Sequence, residues 1–118
     1  MAEAPPNPYK GNDFYCDVAL KGEVELVKEY ESDSVLAFRH TRKRYPVHII
    51  VIPKRHISSL LTLTKDEDPI LLELVETIKT IAAKVTKENG AARVLTNLGE
   101  YQDSKHLHFH ITYGDQIW

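Results

Sequence analysis

The chain reads as a single α+β domain, an antiparallel sheet covered by one long helix. Three observations predict this. Short runs of alternating or β-branched apolar residues recur at five places. Only Asp68 to Glu88 carries sustained helical periodicity. The links within the first three runs, and between the last two, are short and polar. Short links join antiparallel neighbours, because a parallel return needs a crossover of a dozen or more residues.

Met1 to Asn12 is rich in Pro, Ala, Asn and Gly and reads as a flexible N-terminal segment, leaving 13–118 as the domain. Phe14 to Leu20 suits a short helix. Val24 to Tyr30 alternates as an exposed strand, Glu31 to Ser34 is a turn, and Val35 to Phe38 is its hairpin partner. Arg39 to Tyr45 is a basic loop, either a solvated connection or a phosphate-facing one. His48 to Ile52 is a β-branched run closed by Pro53, a central buried strand. In the helix, Asp68 is placed to cap, Pro69 fits the first turn, and Asn89-Gly90 supplies the stop. Leu71, Leu74, Val75, Ile78, Ala82 and Val85 form its apolar stripe. Ala92 to Thr96 is a fourth strand, Asn97 to Lys105 a polar loop, and His106 to Tyr113 the closing strand.

The bulk numbers are those of an ordinary soluble domain. The 118 residues can bury a core without disulfides or a structural metal, and 42% apolar with 27% charged content is unexceptional. A net charge of −2 gives no general pull towards nucleic acid or membrane. Cys16 is the sole cysteine, so no internal disulfide forms and a reducing compartment fits. No signal-peptide core or membrane-length apolar run is present, which points to the cytoplasm, or also the nucleus in a eukaryote.

His106-Leu107-His108-Phe109-His110 carries the chemistry. On a strand, alternate side chains share a face, so three imidazoles lie together with Leu107, Phe109 and Ile111 opposite. Three readings compete. A metal site is strained, because the outer two histidines sit about 13 Å apart at Cα on an extended strand. A nucleophilic imidazole flanked by two helpers suits attack on phosphorus. A satisfied structural seam is the third reading.

His106-Leu107-His108-Phe109-His110-Ile111-Thr112 resembles the histidine triad motif, and Val35-Leu36-Ala37-Phe38 with Val47 through Ile57 resembles the upstream core of its Hint branch. The match runs in order from about Phe14 to Trp118. The resemblance implies a five-stranded sheet with one long and one short helix. It makes His108 the nucleophile that takes up a nucleoside monophosphate, with His110 on the α-phosphate oxygens, His106 orienting or buffering the attacker, and His48 supporting the network. Asn97 and Gly99 fall on the family's Asn-x-Gly loop, Asn97 at the ribose and phosphate, and Gln102 near the phosphates. Phe14, Tyr15, Val18 and Phe38 fall on the purine slot, with plain core packing as the equal alternative. Three departures stand out. His40 replaces the acid that holds the ribose hydroxyls. The loop before His106 is two residues shorter. Asp103, with Ser104 beside it, replaces a hydroxyl and is expected either to turn away or to protonate the leaving group.

The implied reaction is hydrolysis of purine nucleoside phosphoramidates through a nucleotidyl-histidine, with no cofactor required. A dinucleoside polyphosphate hydrolase of the same fold and a nucleotide-binding scaffold with little catalysis are the alternatives. Some relatives hold zinc on a Cys-x-x-Cys pair. Here Asp13 and Cys16 stand at that pair, and a Cys16/Asp13/His56/His106 zinc site is weaker than plain burial of Cys16. The family's two-fold dimer would join the sheets through Asp68–Glu88 and Ala92–Thr96, and Trp118 would reach the partner's site. The expected partners are a purine nucleotide and a second copy, with no nucleic acid or membrane.

Overall fold

The computed structural model describes residues 9–118. The expectation for positions 1–8 lies outside the described residues. Of the rest of the lead-in, Tyr9 accepts the Asp13 N–H on its hydroxyl, and Asn12 accepts the Lys105 N–H on its carbonyl.

Five strands form one antiparallel sheet: β1 Lys28–Glu31, β2 Val35–Arg39, β3 Val47–Pro53, β4 Arg93–Leu95 and β5 Phe109–Tyr113, in the order β1-β2-β3-β5-β4. One long helix, α1 Asp68–Asn89, lies between β3 and β4, and a single helical turn, Tyr15–Ala19, precedes β1. The β-branched run of β3 sits between β2 and β5 with residues His48 to Pro53 all buried, as a strand covered on both faces must. On one face Val35, Ala37, Ile49, Val51, Leu107 and Ile111 meet Leu74, Ile81 and Val85 of α1. On the other, Leu36, Phe38, Ile50 and Ile52 are covered by Tyr15 and Ala19 of the helical turn. No helix among the described residues is long and apolar enough to cross a membrane.

Four expectations are corrected. Asp68 does not cap α1. It already has helical backbone angles, and Glu67 holds the cap position while its carboxylate accepts the Thr64 N–H at 3.0 Å. The buried stripe runs through Leu74, Thr77, Ile81 and Val85. Val75 is 48% exposed, because successive helical residues turn about 100° and Leu74 takes the inward direction. The first strand begins only at Lys28, after an irregular lead in which Val24 and Leu26 are half-buried against the core and Glu25 and Val27 are exposed.

The fourth correction bears on the site. Strand β5 begins at Phe109, and His106 to His108 precede it. Val51 pairs with Phe109. Two residues further on β3 reaches Pro53, which has no N–H to extend the ladder. The backbone bonds of the triad's first half go elsewhere: Leu107 N–H donates to Ile57 O at 2.6 Å and Lys105 N–H to Asn12 O at 2.5 Å. Leu107 still inserts fully buried into the helix-side core, so His106 and His108 face the other way without a strand to impose it. At the far end of α1, Gly90 takes φ +94° and returns its N–H to Thr86 O at 2.7 Å, a left-handed stop that a side chain would strain.

Candidate active site

Six histidines, every one in the chain, fall into two groups around His108. His48 on β3 and His110 on β5 are diagonal neighbours across the ladder, since His48 pairs with Thr112 and Ile50 with His110. His40, one residue past β2, stacks on His48 with ring centroids 4.3 Å apart.

The bonding partners assign the protons. The His108 Nδ1 lies 2.6 Å from the His106 carbonyl, which only accepts, so Nδ1 carries the hydrogen and Nε2 keeps its lone pair. The Arg44 N–H donates to His48 Nδ1 at 3.0 Å, so the His48 proton is on Nε2 and is donated to His110 Nδ1 at 2.8 Å. His110 must then carry its own hydrogen on Nε2. That atom is buried and has no hydrogen-bond partner among the described residues. The result is a lone pair on His108 beside a free N–H on His110, with the two rings 5.0 Å apart. His40 follows the same logic: its Nδ1 accepts the Arg42 N–H at 2.8 Å, leaving Nε2 as a donor. Burial disfavours the charged forms, taking His48 and His110 down to about 3 and His40 to about 4. Burial also lowers His108, against the opposing pull of its bond to His106. All four are neutral near pH 7.

His106 does not lend its ring to His108. It supplies the carbonyl that orients His108, while its own Nε2–H donates to Pro53 O at 2.8 Å. Its Nδ1 faces a second cluster, 3.2 Å from Asp13 Oδ2 and 3.3 Å from Cys16 Sγ. His56 Nδ1 reaches the same carboxylate oxygen at 2.6 Å. Burial works against the Asp13 carboxylate, yet the Cys16 amide and the His106 charge outweigh it and hold its pKa below the ordinary value. Burial and then Asp13 push the Cys16 thiol up to about 11. The four donor atoms all lie within 4.8 Å of one another. Tetrahedral zinc with nitrogen, oxygen and sulfur ligands has edges of roughly 3.3–3.8 Å, so this donor set fits such an ion.

The remaining candidates divide. Tyr15 is buried with its ring 4.9 Å from His108, and Phe38 lies beneath it at 6.1 Å, so both are core as well as wall. Phe14 and Val18 are half-buried at the mouth. Ser104 Oγ accepts the Phe14 N–H, and Gln102 Nε2 donates to Ser58 O at 2.6 Å, so both brace the approach to the triad. Asp103 is exposed, and its charge is felt at His108 and Tyr15. Asn97 is half-buried, and Gly99 opens a short turn with φ +60°. Trp118 packs within its own chain, its indole N–H on Lys43 O at 3.0 Å and its ring under the guanidinium groups of Arg42 and Arg44. Arg44 was not singled out by sequence reasoning, and only the basic composition of its loop hinted at it.

A family model of the scavenger mRNA decapping enzyme C-terminal binding region matches residues 12–116. An uncharacterised HIT-like protein of Synechococcus elongatus is 41% identical over 99 residues, which is 83% of this chain and 87% of its own. The chain belongs to the histidine triad (HIT) family. Solved structures of HIT proteins share its fold. A HIT family hydrolase from Legionella pneumophila superposes with a TM-score of 0.75 at 27% identity, covering 91% of this chain and 96% of its own. A histidine triad protein from Clostridium difficile is 34% identical with a TM-score of 0.67, covering 92% and 95%. The fold expected from the triad and its upstream core is therefore the fold of this HIT protein.

Proposed function

We propose that this HIT protein is a Hint-like nucleotide hydrolase that acts through a nucleotidyl-histidine, with purine nucleoside phosphoramidates as substrates. One observation carries the reading: main-chain groups leave His108 Nε2 a bare lone pair while His110 Nε2–H stands beside it without a partner. The Legionella relative's description as a hydrolase supports it.

In the first step His108 Nε2 attacks phosphorus and the bond to the leaving amine breaks, the amine nitrogen taking its proton from solvent as it departs. His110 Nε2–H donates to a phosphoryl oxygen as its charge grows. In the second step water attacks the phosphorus of the adduct, the phosphorus–nitrogen bond to His108 breaks, and a nucleoside monophosphate leaves. Phe14 and Val18 would edge the base, and Asn97 the ribose and phosphate. Asp13, Cys16, His56 and His106 would hold a zinc-class ion that ties the N-terminal segment to His106, away from the reacting phosphorus. A two-fold dimer is proposed through α1, where Leu72 is 64% exposed, and through the β4 edge, where Val94 is 48% exposed. The proposed location is the cytoplasm.

Rapid-quench mass spectrometry with adenosine 5′-phosphoramidate is the test. The expected result is a protein heavier by one adenylyl group, absent in His108→Ala. Failure to find either adduct or turnover with any nucleotide conjugate would leave the scaffold reading in its place.

A further inference from the structure

The segment after β5 has no part in the reaction just described, yet it is bonded to the support of the triad. It leaves the strand at Gly114, where φ is +95° and a Cβ would stand 2.8 Å from the Pro46 ring. Only glycine suits both the angle and the space, and the chain turns back there along the loop that precedes β3. Ile117 N–H then donates to Arg44 O at 2.6 Å, and the Trp118 indole N–H donates to Lys43 O at 3.0 Å. The Arg44 guanidinium lies over the indole, 4.6 Å from its centroid, and holds the ring in place from the other side.

The Lys43 carbonyl and the Arg44 N–H are the two ends of one peptide group. Its oxygen accepts from the indole, and its N–H donates to His48 Nδ1 at 3.0 Å. The same line of donors continues from His48 Nε2–H to His110 Nδ1 at 2.8 Å. It ends on the His110 Nε2–H, which no described residue accepts. Turning this peptide over would present the Lys43 carbonyl to His48 in place of an N–H. His48 would then carry its hydrogen on Nδ1, and its Nε2 would accept from His110 Nδ1–H. His110 would show a bare Nε2 to the site, and the donor beside His108 would become a second lone pair. The sheet does not fix this peptide, because residues 41–46 lie outside it. The indole bond does, and an amide that accepts at its oxygen is also a stronger donor at its nitrogen.

We propose that Trp118 is a positioning residue of this site, whose indole N–H holds the Lys43–Arg44 peptide in the one orientation that makes His110 a donor. This rests on the reading of His108 as attacker and His110 as donor. Trp118 does this within its own chain, through hydrogen bonds alone and without touching the reacting atoms.

Trp118 is the sole tryptophan of the chain, so its exchange for the sulfur isostere benzothienylalanine is specific. The isostere keeps the ring over which Arg44 lies and removes the N–H, and Trp118→Phe is its simpler companion. Nitrogen NMR of the imidazoles in the full chain, near pH 7 and without substrate, reads the tautomers directly. The native chain should carry the His48 and His110 protons on Nε2, and both variants should move a fraction of the two rings together to the Nδ1 forms. With adenosine 5′-phosphoramidate, kcat should fall about tenfold while KM changes little, as expected for one hydrogen bond felt in the transition state. Adding Trp118→Phe to His48→Phe should cost nothing further, because both act through one line of bonds. Unchanged tautomers in both variants, or a Trp118→Phe effect that persists in full beside His48→Phe, overturns the proposal. Absence of adduct and turnover in the native chain would remove the hydrolase reading instead, while the tautomer spectra still decide the role of Trp118.

Discussion

The two flanks of His108 use the same residue type to opposite ends. On one side His110, His48 and His40 form a line in which every assigned proton has a direction, and burial keeps each ring neutral. On the other, His106 and His56 point Nδ1 atoms at a carboxylate and a thiol that share one small space. The first arrangement is complete without a cation and open to an anion. The second gathers electron-rich atoms and calls for a proton or a metal. The difference arises from the backbone: amides of Arg42 and Arg44 feed the first line, and the Pro53 carbonyl takes the second group's available proton.

Substitutions should therefore separate the flanks. The largest effect is expected at His48. His48→Phe removes the donor to His110 Nδ1 and frees the His110 tautomer, and should lower kcat by about a hundredfold, as loss of one transition-state donor does. Steady-state kinetics with a phosphoramidate checks it, and an unchanged kcat would end the claim that His48 sets the His110 proton.

Next comes the metal flank. Protein grown with zinc should hold about one ion per chain by atomic emission, and Cys16→Ala or Asp13→Asn should lose it. Chelation should lower the melting temperature while adduct formation at His108 persists. Loss of adduct in step with loss of metal would erase the contrast between the flanks.

A smaller effect is expected from pH. His48 and His110 titrate near 3 and His40 near 4 in the folded chain, against about 6.5 when exposed. Between those values the unfolded chain binds more protons, so stability is full above about pH 6.5 and falls as the pH drops towards 4. Urea midpoints at pH 8 and pH 5 should differ in that direction, and the difference should shrink in His48→Phe. The least change is expected at Asp103, which is exposed. Asp103→Ser and Asp103→Asn should shift turnover by no more than a few-fold. If neither alters the rate or its pH profile, the carboxylate has no part in leaving-group protonation.

Much of this was legible in the chain. The β-branched run of His48 to Ile52 could only be a covered strand, and the stop at Gly90 followed from its freedom to take positive φ. The start of β5 was hidden, because His106 to His108 alternate as a strand does and only the missing N–H of Pro53 ends the ladder. His108 was readable as the attacker, but not which nitrogen attacks, since that depends on the His106 carbonyl. The stacking of Arg42 and Arg44 on Trp118 joins positions more than seventy residues apart and leaves no local signature. Asp13 was grouped with Cys16, His56 and His106 in the sequence reading as the weaker alternative, and spacing alone gave no sign that one carboxylate oxygen reaches both His56 and His106.

The Arg44 N–H that bonds His48 also has a consequence for heredity of function. A side-chain change at position 44 keeps that amide, so the choice of which imidazole attacks and which donates passes unaltered through such variants. Arg44→Pro is the exception. It deletes one hydrogen atom from the main chain, and with it the asymmetry that makes two identical side chains do different work.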